Sequence, residues 1–272
     1  TFVEKQSGEL TMSEAMREEL SVTITDYVAT VEIHRPPNNF FDLELIRQIA
    51  DIYAKLDQDS NCRAIVLCSE GKHFCAGADF SARDSWGQEQ LDAQAGSIYR
   101  EAARIFQAEK PVIAAIQGAA VGGGLGLACS ADHRVTCADA RFAANFSRLG
   151  FHQGFGLSVT LPRLVGPSHA SLLLLTGRRI SGTEAHAIGL VDELVPHSEV
   201  RQSAFALASE IAMSGPLAVH AIRRTLREGL AQAVVAATEH ELAEQSRLRA
   251  SADFQEGVQA MAQRRPPNFK GC

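Results

Sequence analysis

The first regular pattern along the chain is an alternation of apolar and polar residues from Val22 to Ile33. A period of two predicts β-strands with one buried face. Asp26-Tyr27 interrupts the alternation at its middle, so the segment is expected to form a β-hairpin. Pro36 and Pro37 follow closely. Since proline cannot donate to a ladder, the hairpin should end before them.

A helical period replaces the alternation after Asp42. The apolar positions of this segment recur at spacings of three and four, namely at Leu45, Ile46, Ile49, Ile52, Tyr53 and Leu56. That spacing predicts an amphipathic helix ending near Asp57. Asp42 stands just before it and is a favourable N-cap, because its carboxylate can accept from a free N–H of the first turn.

Two short runs are apolar throughout, Ala64–Cys68 and Pro111–Ile116. Continuous apolar runs of this length are typical of parallel strands buried on both faces. A helix is expected between them at about 88–108. Shorter strands are expected at 134–137 and 141–143, after an apolar helix at 125–129. This alternation of strands and helices predicts an α/β core with right-handed crossovers.

The pattern turns helical from about residue 156. Ser181-Gly182-Thr183-Glu184 has the form of a capping box. A short strand is expected at 191–195, and helices at about 199–213, 216–231, 233–249 and 252–264. Residues 1–19 are polar and of mixed charge. We therefore divide the chain into a flexible arm (1–19), a core (20–200) and a C-terminal helical region (201–272).

Composition narrows the class of protein. The chain has 272 residues, 46% hydrophobic and 21% charged, with a net charge of −6. An acidic chain of this kind is not expected to bind nucleic acid or an anionic membrane. Neither a signal-peptide pattern nor an apolar run of about 18 residues is present. The six cysteines form no Cys-x-x-Cys pair and have no His cluster beside them. They are interpreted as reduced residues of a cytoplasmic protein that needs no metal.

The candidate chemistry lies in two glycine-containing loops, each of which follows a predicted buried strand. The first is 73–80, with the sequence HFCAGADF, and the second is 118–125, with the sequence GAAVGGGL. Glycine permits close backbone approach and positive φ. A helix opening just after Gly122 would present free N–H groups to a developing anion. Converging at the ends of neighbouring strands, the two loops could form an oxyanion hole with two donors.

Other interpretations of the glycines were weighed. The second loop lacks the Lys-Ser/Thr pair of a P-loop, and Gly124-Leu125-Gly126 is followed by Cys129 where a dinucleotide-binding motif has Gly or Ala. The chain also lacks the Gly-x-Ser-x-Gly elbow of α/β-hydrolases. The spacing alone leaves open that the glycines serve only tight packing of a helix on a strand.

The two loops resemble the paired signatures of the crotonase (enoyl-CoA hydratase/isomerase) superfamily. The matching segments are 74–80 and 111–124, about 40 residues apart. The resemblance extends from about Val22 to the C-terminus. It includes 35–36, Asn39, 175–177, 187–191 and 264–269.

The resemblance implies a β-β-α spiral core with a helical C-terminal trimerisation region, assembled as a homotrimer or a hexamer (dimer of trimers). It also implies an acyl-CoA thioester substrate, as in fatty acid metabolism, with coenzyme A as part of the substrate and no tightly bound cofactor. The thioester oxygen would accept from the backbone N–H groups of Ala78 and Gly123. The remaining expected contacts with substrate are Ala76, Asp79, Phe80, Arg83, Gly122, Gly126 and Phe146.

The sequence departs from the hydratase pattern at each acid position. The two glutamates that hydratases of this family use fall at Gly126 and Phe146, and a third acid position falls near Gly154. Hydration needs a general acid and base within reach of the moving protons, and neither glycine nor phenylalanine can supply one. Isomerisation, C–C cleavage and hydrolysis therefore stay open as the reaction of a lyase or isomerase of this family.

Several residues could supply the missing chemistry. His152 could act as a base, or it could simply hydrogen-bond a loop carbonyl. Asp84 or Glu89 could enter the site as a replacement acid. His73 is interpreted as structural, Asp79 as a loop cap, and Arg83 as either a partner of a CoA phosphate or a solvated surface residue. A third hypothesis is an acyl-CoA-binding protein without catalysis.

Overall fold

The computed structural model describes residues 19–78 and 88–272. The predicted arm therefore lies outside the described residues apart from Glu19. Asp79, Phe80, Arg83 and Asp84 also lie outside them, as does the side chain of Glu89.

The larger sheet of the described residues has six strands in the order β1-β2-β3-β4-β6-β9. These strands are β1 (Leu20–Thr25), β2 (Val28–Ile33), β3 (Ala64–Ser69), β4 (Val112–Ile116), β6 (His133–Thr136) and β9 (Glu193–Leu194). β1 and β2 form the predicted hairpin, with Val22 opposite Val31. All other neighbours in this sheet are parallel. The apolar β3 and β4 are buried along their full length, as predicted.

A second sheet of three strands lies beside the first, in the order β5-β7-β8. It consists of β5 (Ala119–Val121), β7 (Arg141–Ala143) and β8 (Arg179–Ser181). β5 was expected to be part of a loop. It is a strand because it pairs in parallel with β7, with Ala120 opposite Phe142. This pairing was not visible in a segment of only three residues.

The helices of the described chain are α1 (Leu43–Gln58), α2 (Gln88–Ile105), α3 (Gly123–Ser130), α4 (Leu157–Thr176), α5 (Gly182–Ala187), α6 (Val200–Ala212), α7 (Pro216–Leu226), α8 (Leu230–Arg249) and α9 (Ala252–Ala262). Asp42 caps α1 as predicted, since its side chain accepts from the N–H of Leu45. The capping box at Ser181 and Glu184 is also present. α3 begins at Gly123, two residues earlier than the predicted start at Leu125.

The C-terminal helices pack onto the core of their own chain. α6 contacts β2, β3, β4 and β6, and so covers one face of the larger sheet. α8 packs against α2 and α4, and α9 packs against the 3-10 helix Asn145–Leu149. The division of the chain at residue 200 stays a prediction.

Cys62, Cys68, Cys75, Cys129 and Cys137 are buried free thiols, and Cys272 is exposed. Within the described ranges, no single helix has both the length and the apolar character of a membrane span. One pair, His197–Ala212 and Pro216–Leu226, meets those criteria only jointly and is bent by 109°.

Candidate active site

The two glycine-containing loops lie against each other. The N–H of Cys75 donates to the carbonyl of Ala119 at 2.9 Å, and the N–H of Val121 donates to the carbonyl of Cys75 at 3.0 Å. Cys75 of the first loop thus pairs in parallel with Ala120 of the short strand β5. The residues that follow, Ala76–Ala78 on one loop and Gly122–Gly123 on the other, therefore run side by side.

Two glycines allow this close approach. Gly77 has a φ of +107°, and a Cβ at this position would lie 3.1 Å from the carbonyl oxygen of Val121. A Cβ on Gly124 would overlap the carbonyl oxygen of Cys75. A side chain at Gly124 would therefore force the loops apart, and one at Gly77 would crowd them. The packing interpretation of the triple glycine stays open beside the oxyanion-hole interpretation.

Two amides of these loops take no part in the hydrogen bonds between them. Gly122 donates its N–H to the carbonyl of Ala143 at 2.8 Å, and α3 begins at the next residue. The Gly123 amide thus belongs to the first turn of α3, where N–H groups have no partner within the helix. At Ala78, the bridge to Phe41 uses the Gly77 carbonyl, which accepts from the N–H of Phe41 at 3.0 Å. Among the described residues, no hydrogen bond involves the amide of Ala78 or of Gly123.

Ala78 and Gly123 both line one cavity of about 340 Å³. This volume is within the range of small-ligand pockets. Its aromatic wall consists of Phe40, Phe41, Phe146, Phe151 and Phe155, and its polar side chains are Tyr99, Asn145, Gln245 and Arg249. An apolar wall with a few convergent polar groups suits an acyl chain more than a charged nucleotide.

The structure brings most of the predicted contact residues to this cavity. Ala76, Ala78, Gly122, Gly123 and Phe146 all line it. Asp79, Phe80 and Arg83 lie outside the described residues.

Gly126 does not line the cavity, contrary to expectation. It is buried in α3 beneath Phe155, and a Cβ at Gly126 would lie 2.6 Å from the Cβ of Phe155. Phe155 has a φ of +61°, which is unusual for a residue with a side chain. Its ring also meets that of Phe41 edge to face, with centroids 5.5 Å apart. An aromatic side chain therefore fills the space that a side chain at position 126 would need.

The space beside Gly154, the third predicted acid position, is filled in a similar way. A Cβ at Gly154 would overlap the hydroxyl oxygen of Tyr99 and would lie 2.7 Å from Nε2 of Gln245. These two side chains come from α2 and α8, far from residue 154 in the sequence. Gly154 lines the cavity together with them.

His152 is not among the residues that line the cavity. Its Nδ1 lies 2.8 Å from the carbonyl oxygen of Gln153, and its ring packs edge to face on that of His240. These contacts favour the alternative in which His152 hydrogen-bonds a loop carbonyl. His73 accepts from the N–H of Ala119 through Nδ1 at 3.3 Å, which agrees with a structural role. Burial, together with the nearby charge of Lys72, lowers the pKa of His73, which favours this neutral form.

The segment 152–156 is fixed by a buried carboxylate on α8. Glu241 is fully buried and accepts from the N–H of Gly156 at 2.9 Å and from that of Ser158 at 3.0 Å. It therefore caps the start of α4, where Gly156 has no side chain to do so. Burial raises the pKa of Glu241, although the hydrogen bonds from Ser158 and Gly156 oppose that shift.

Two further kinds of site were considered for the described residues, a nucleophilic thiol and a metal site. Burial raises the pKa of the Cys75 thiol to about 12, so this thiol in the first loop is protonated at neutral pH. No group of three or more His, Cys, Asp or Glu side chains within the described ranges is arranged to hold a metal ion.

Sequence reasoning missed the polar wall of the cavity. Tyr99, Asn145, Gln245 and Arg249 come from α2, the 3-10 helix and α8. One signal was available in α8. Its buried face carries Thr238, Glu241, Gln245 and Arg249 at helical spacing, where a core-facing helix usually has apolar residues.

The chain is similar to known proteins over nearly its whole length. A sequence model described as enoyl-CoA hydratase/isomerase matches residues 23–272. A carnitinyl-CoA dehydratase from Proteus mirabilis (strain HI4320) is 31% identical over 261 residues, covering 94% of this chain and 100% of that relative.

Solved structures agree. An enoyl-CoA hydratase/isomerase from Pseudoalteromonas atlantica T6c superposes with a TM-score of 0.83 at 28% identity, covering 93% of this chain and 100% of that chain. An enoyl-CoA hydratase from Bacillus anthracis superposes with a TM-score of 0.75 at 32% identity, covering 94% and 100%. These similarities confirm the fold class predicted from the sequence.

Proposed function

The chain belongs to the enoyl-CoA hydratase/isomerase family, and from this premise we propose that it binds an acyl-CoA thioester with its carbonyl oxygen between the amides of Ala78 and Gly123. The observation that carries the proposal is the position of these amides. Ala78 and Gly123 belong to two loops joined by the Cys75 bridge, and both residues line one apolar cavity.

The two amides would stabilise charge that develops on the thioester oxygen. When a proton leaves the carbon next to the thioester, or when a bond to that carbon breaks, the electrons move onto this oxygen as an enolate. Oriented backbone donors stabilise such charge without reorganisation, and loss of one donor typically costs about 3–4 kcal/mol in the transition state. The positive end of α3 at Gly123 acts in the same direction.

The reaction proposed for this site does not depend on the two hydratase glutamates. Gly126 and Phe146 stand at their positions, and Phe155 covers the first of them. Isomerisation, C–C cleavage and hydrolysis all pass through an enolate or an oxyanion, so each can use the two amides. We do not propose His152 as the base, because its side chain contacts the Gln153 carbonyl and the His240 ring.

The test removes the carbonyl oxygen from the ligand. Binding of butyryl-CoA is compared by calorimetry with binding of S-butyl-CoA, a thioether in which CH₂ replaces the thioester C=O. Two hydrogen bonds of ordinary strength are worth about tenfold or more in affinity. We expect the thioether to bind at least about tenfold more weakly, and free CoA gives the contribution of the shared nucleotide portion.

Equal affinities for the thioester and the thioether would refute the two-amide site. A second measurement separates catalysis from binding alone. Deuterium uptake from D₂O at the carbon next to the thioester reports enolate formation, and we expect uptake that depends on the protein. Hydrolysis needs no such exchange and is followed by release of free CoA. Tight binding with neither deuterium uptake nor CoA release would favour the acyl-CoA-binding protein that lacks catalysis.

We also propose a homotrimer or a hexamer. The support is the apolar face of α7 on which Ile222 and Leu226, four residues apart, are 59% and 74% exposed. Large apolar side chains grouped in this way are typical of surfaces covered by another subunit. Analytical ultracentrifugation at micromolar concentration tests this proposal, and a monomer would contradict it.

A further inference from the structure

A serine, a histidine and a glutamate meet on one face of the larger sheet, away from the cavity described above. Ser21 lies in β1, and His34 and Glu70 directly follow β2 and β3. Ser21 is opposite Glu32 in the strand register, and the N–H of His34 donates to the carbonyl of Glu19 at 2.8 Å. Since residues two apart along a strand share a face, His34 lies on the same face as Glu32 and Ser21.

The hydrogen bonds between the three side chains have a definite direction. Oγ of Ser21 lies 2.7 Å from Nε2 of His34, and Nδ1 of His34 lies 2.9 Å from Oε2 of Glu70. An ionised carboxylate can only accept, so the proton of a neutral His34 is on Nδ1. Nε2 is then the acceptor, and the Ser21 hydroxyl donates to it. This serine–histidine–carboxylate order is the one in which a hydroxyl becomes a nucleophile, and it recurs on unrelated folds.

The exposure of these groups suits a reactive site. The side chains of His34 and Glu70 are 21% and 36% exposed, and Ser21 is also half-buried. The site is therefore open to a small ester, while two hydrogen bonds hold the His34 ring in place. A second carboxylate on this face, Glu32, forms an ion pair with Arg201. Glu70 is thus the carboxylate that orients His34.

A backbone amide next to Ser21 faces the open edge of the sheet. β1 is the end strand of the described sheet. Hydrogen-bonded pairs alternate along an antiparallel ladder, and the bond from the His34 N–H to the Glu19 carbonyl fixes which pairs these are. Ser21 and Glu32 are consequently a hydrogen-bonded pair, and the N–H of Val22 points away from β2. In α/β-hydrolases, the amide of the residue after the nucleophile donates to the oxyanion.

We infer that Ser21 is an activated nucleophile that cleaves carboxylic esters with a good leaving group, an activity separate from the thioester cavity. Ser21 Oγ forms a bond to the ester carbonyl carbon while its proton passes to Nε2 of His34. The bond from that carbon to the leaving oxygen breaks, and the leaving alcohol takes the proton from Nε2. Water then adds to the acyl carbon and gives a proton to Nε2. This proton returns to Ser21 Oγ as the carboxylic acid leaves.

The roles of the three side chains follow from this sequence. Ser21 and His34 are catalytic residues, since both exchange the proton at the reacting centre. Glu70 is a positioning residue that holds the His34 proton on Nδ1. Because one backbone amide gives only part of the usual oxyanion stabilisation, aryl esters are the substrate class that suits the site.

The experiment uses p-nitrophenyl acetate. Release of p-nitrophenolate is followed by absorbance, and the acetylated residue is located by mass spectrometry of peptides. We expect the acetyl group on Ser21. Ser21→Ala should abolish this acetylation, and His34→Gln should slow it at least about a hundredfold, the range of a lost general base.

Three further variants separate this role from a structural one. Glu70→Gln should slow acetylation of Ser21 at least about tenfold, and Glu70→Asp, which keeps a carboxylate, should recover part of the rate. Ser97→Ala is the matched control, because the Ser97 hydroxyl donates to the carbonyl of Ala93 rather than to a histidine. It should leave the acetylation of Ser21 unchanged. Circular dichroism shows for each variant that the fold is retained.

The outcomes are distinct. Acetylation that is confined to other residues, or a folded His34→Gln variant that acetylates Ser21 at the unmodified rate, would overturn this inference. Ser21→Ala is the decisive variant, since it removes a single oxygen atom from the protein. The ester carries no CoA, so a negative result leaves the proposed acyl-CoA site unaffected.

Discussion

At the scale of single residues, side chains from other segments occupy the space at two of the positions where the sequence comparison predicts acids. Phe155 covers Gly126, and Tyr99 with Gln245 fills the space beside Gly154. These positions are packed by side chains from elsewhere in the chain. A carboxylate at position 126 or 154 would have to displace one of these side chains.

Hydration of a simple enoyl thioester should therefore be slow. General acid and base groups each contribute typically 10²–10⁴-fold to a rate. We expect turnover of crotonyl-CoA to lie at least about a hundredfold below the value of about 10 s⁻¹ that is ordinary for enzymes. The measurement is the loss of enoyl absorbance with time. Turnover at the ordinary rate would mean that a carboxylate outside the described residues, such as Asp84, enters the site.

Replacing Gly126 by glutamate should destabilise the protein, because the new side chain must displace Phe155. Overpacking of a core typically costs about 1–3 kcal/mol. We expect Gly126→Glu to lower the free energy of unfolding by this amount in urea denaturation. The loss should be smaller when the same change is made in a Phe155→Gly background, which lacks both the Cβ and the ring that the new side chain would meet.

Gly215→Glu is the matched control, since Gly215 has a negative φ and its Cβ position is 4.0 Å from the nearest atom. That variant should change stability by less than about 0.5 kcal/mol. Equal losses at the two positions would show that Phe155 does not restrict position 126.

At the scale of elements, α8 shapes the site through its buried polar face. Glu241 caps α4, and Gln245 holds both the His152 carbonyl and Tyr99. Together these contacts fix the segment 152–156, which supplies Gly154 and Phe155 to the cavity. A C-terminal helix thus sets the form of a cavity whose proposed oxyanion donors lie in the core.

Glu241→Gln tests this cap. A glutamine has one oxygen in place of two, so either the N–H of Gly156 or that of Ser158 loses its acceptor. An unpaired buried donor costs about 1–3 kcal/mol, and we expect a loss of that size in denaturant unfolding. Glu244→Gln, three residues further along α8, removes a half-buried carboxylate that pairs with the exposed Arg247 and should cost less than about 0.5 kcal/mol. A loss no larger than the control's would contradict the capping role.

The sequence predicted well those elements whose hydrophobic pattern extends over several residues or whose capping residue lies next to them in the sequence. The hairpin, α1 with Asp42, the apolar β3 and β4, and the capping box at Ser181 all have this property. β5 was missed because its three residues form a strand only through pairing with β7.

The same distinction applies to the site. Ala78 and Gly123 each lie in a contiguous sequence motif, so both could be predicted from the sequence alone. Tyr99 and Gln245 meet only because α2 and α8 pack together, at a sequence separation of 146. Nothing local marks either residue as part of a cavity, apart from the polar spacing along α8.

At the scale of the whole molecule, Asp132 joins the sheet to α7. Its carboxylate accepts from the N–H of Val112 at 2.8 Å, from Arg223 at 2.8 Å and from Arg227 at 2.9 Å. Burial alone would raise the pKa of Asp132, but the two arginines and the Val112 N–H together hold it below its ordinary value of 3.8. As pH falls, the unfolded chain therefore takes up this proton first.

The stability that this carboxylate contributes is present above about pH 4 and is lost as pH falls through the lowered pKa. Asp132→Asn leaves two mostly buried arginines without a counter-ion and should cost about 3–5 kcal/mol at pH 7. In urea unfolding, the difference between this variant and the unmodified protein should shrink between pH 5 and about pH 3. Asp139→Asn, at an exposed position, is the control. A difference that stays constant with pH would contradict this account of Asp132.

The most direct test of the central claim is a crystal structure of the protein with an unreactive acyl-CoA thioester such as butyryl-CoA. The account predicts that the thioester oxygen lies about 3 Å from both the amide nitrogen of Ala78 and that of Gly123, the distance expected for two donors that share one oxygen. It also predicts the acyl chain against Phe155 and Tyr99. A thioester oxygen bound elsewhere, or the two amide nitrogens more than about 6 Å apart, would contradict it.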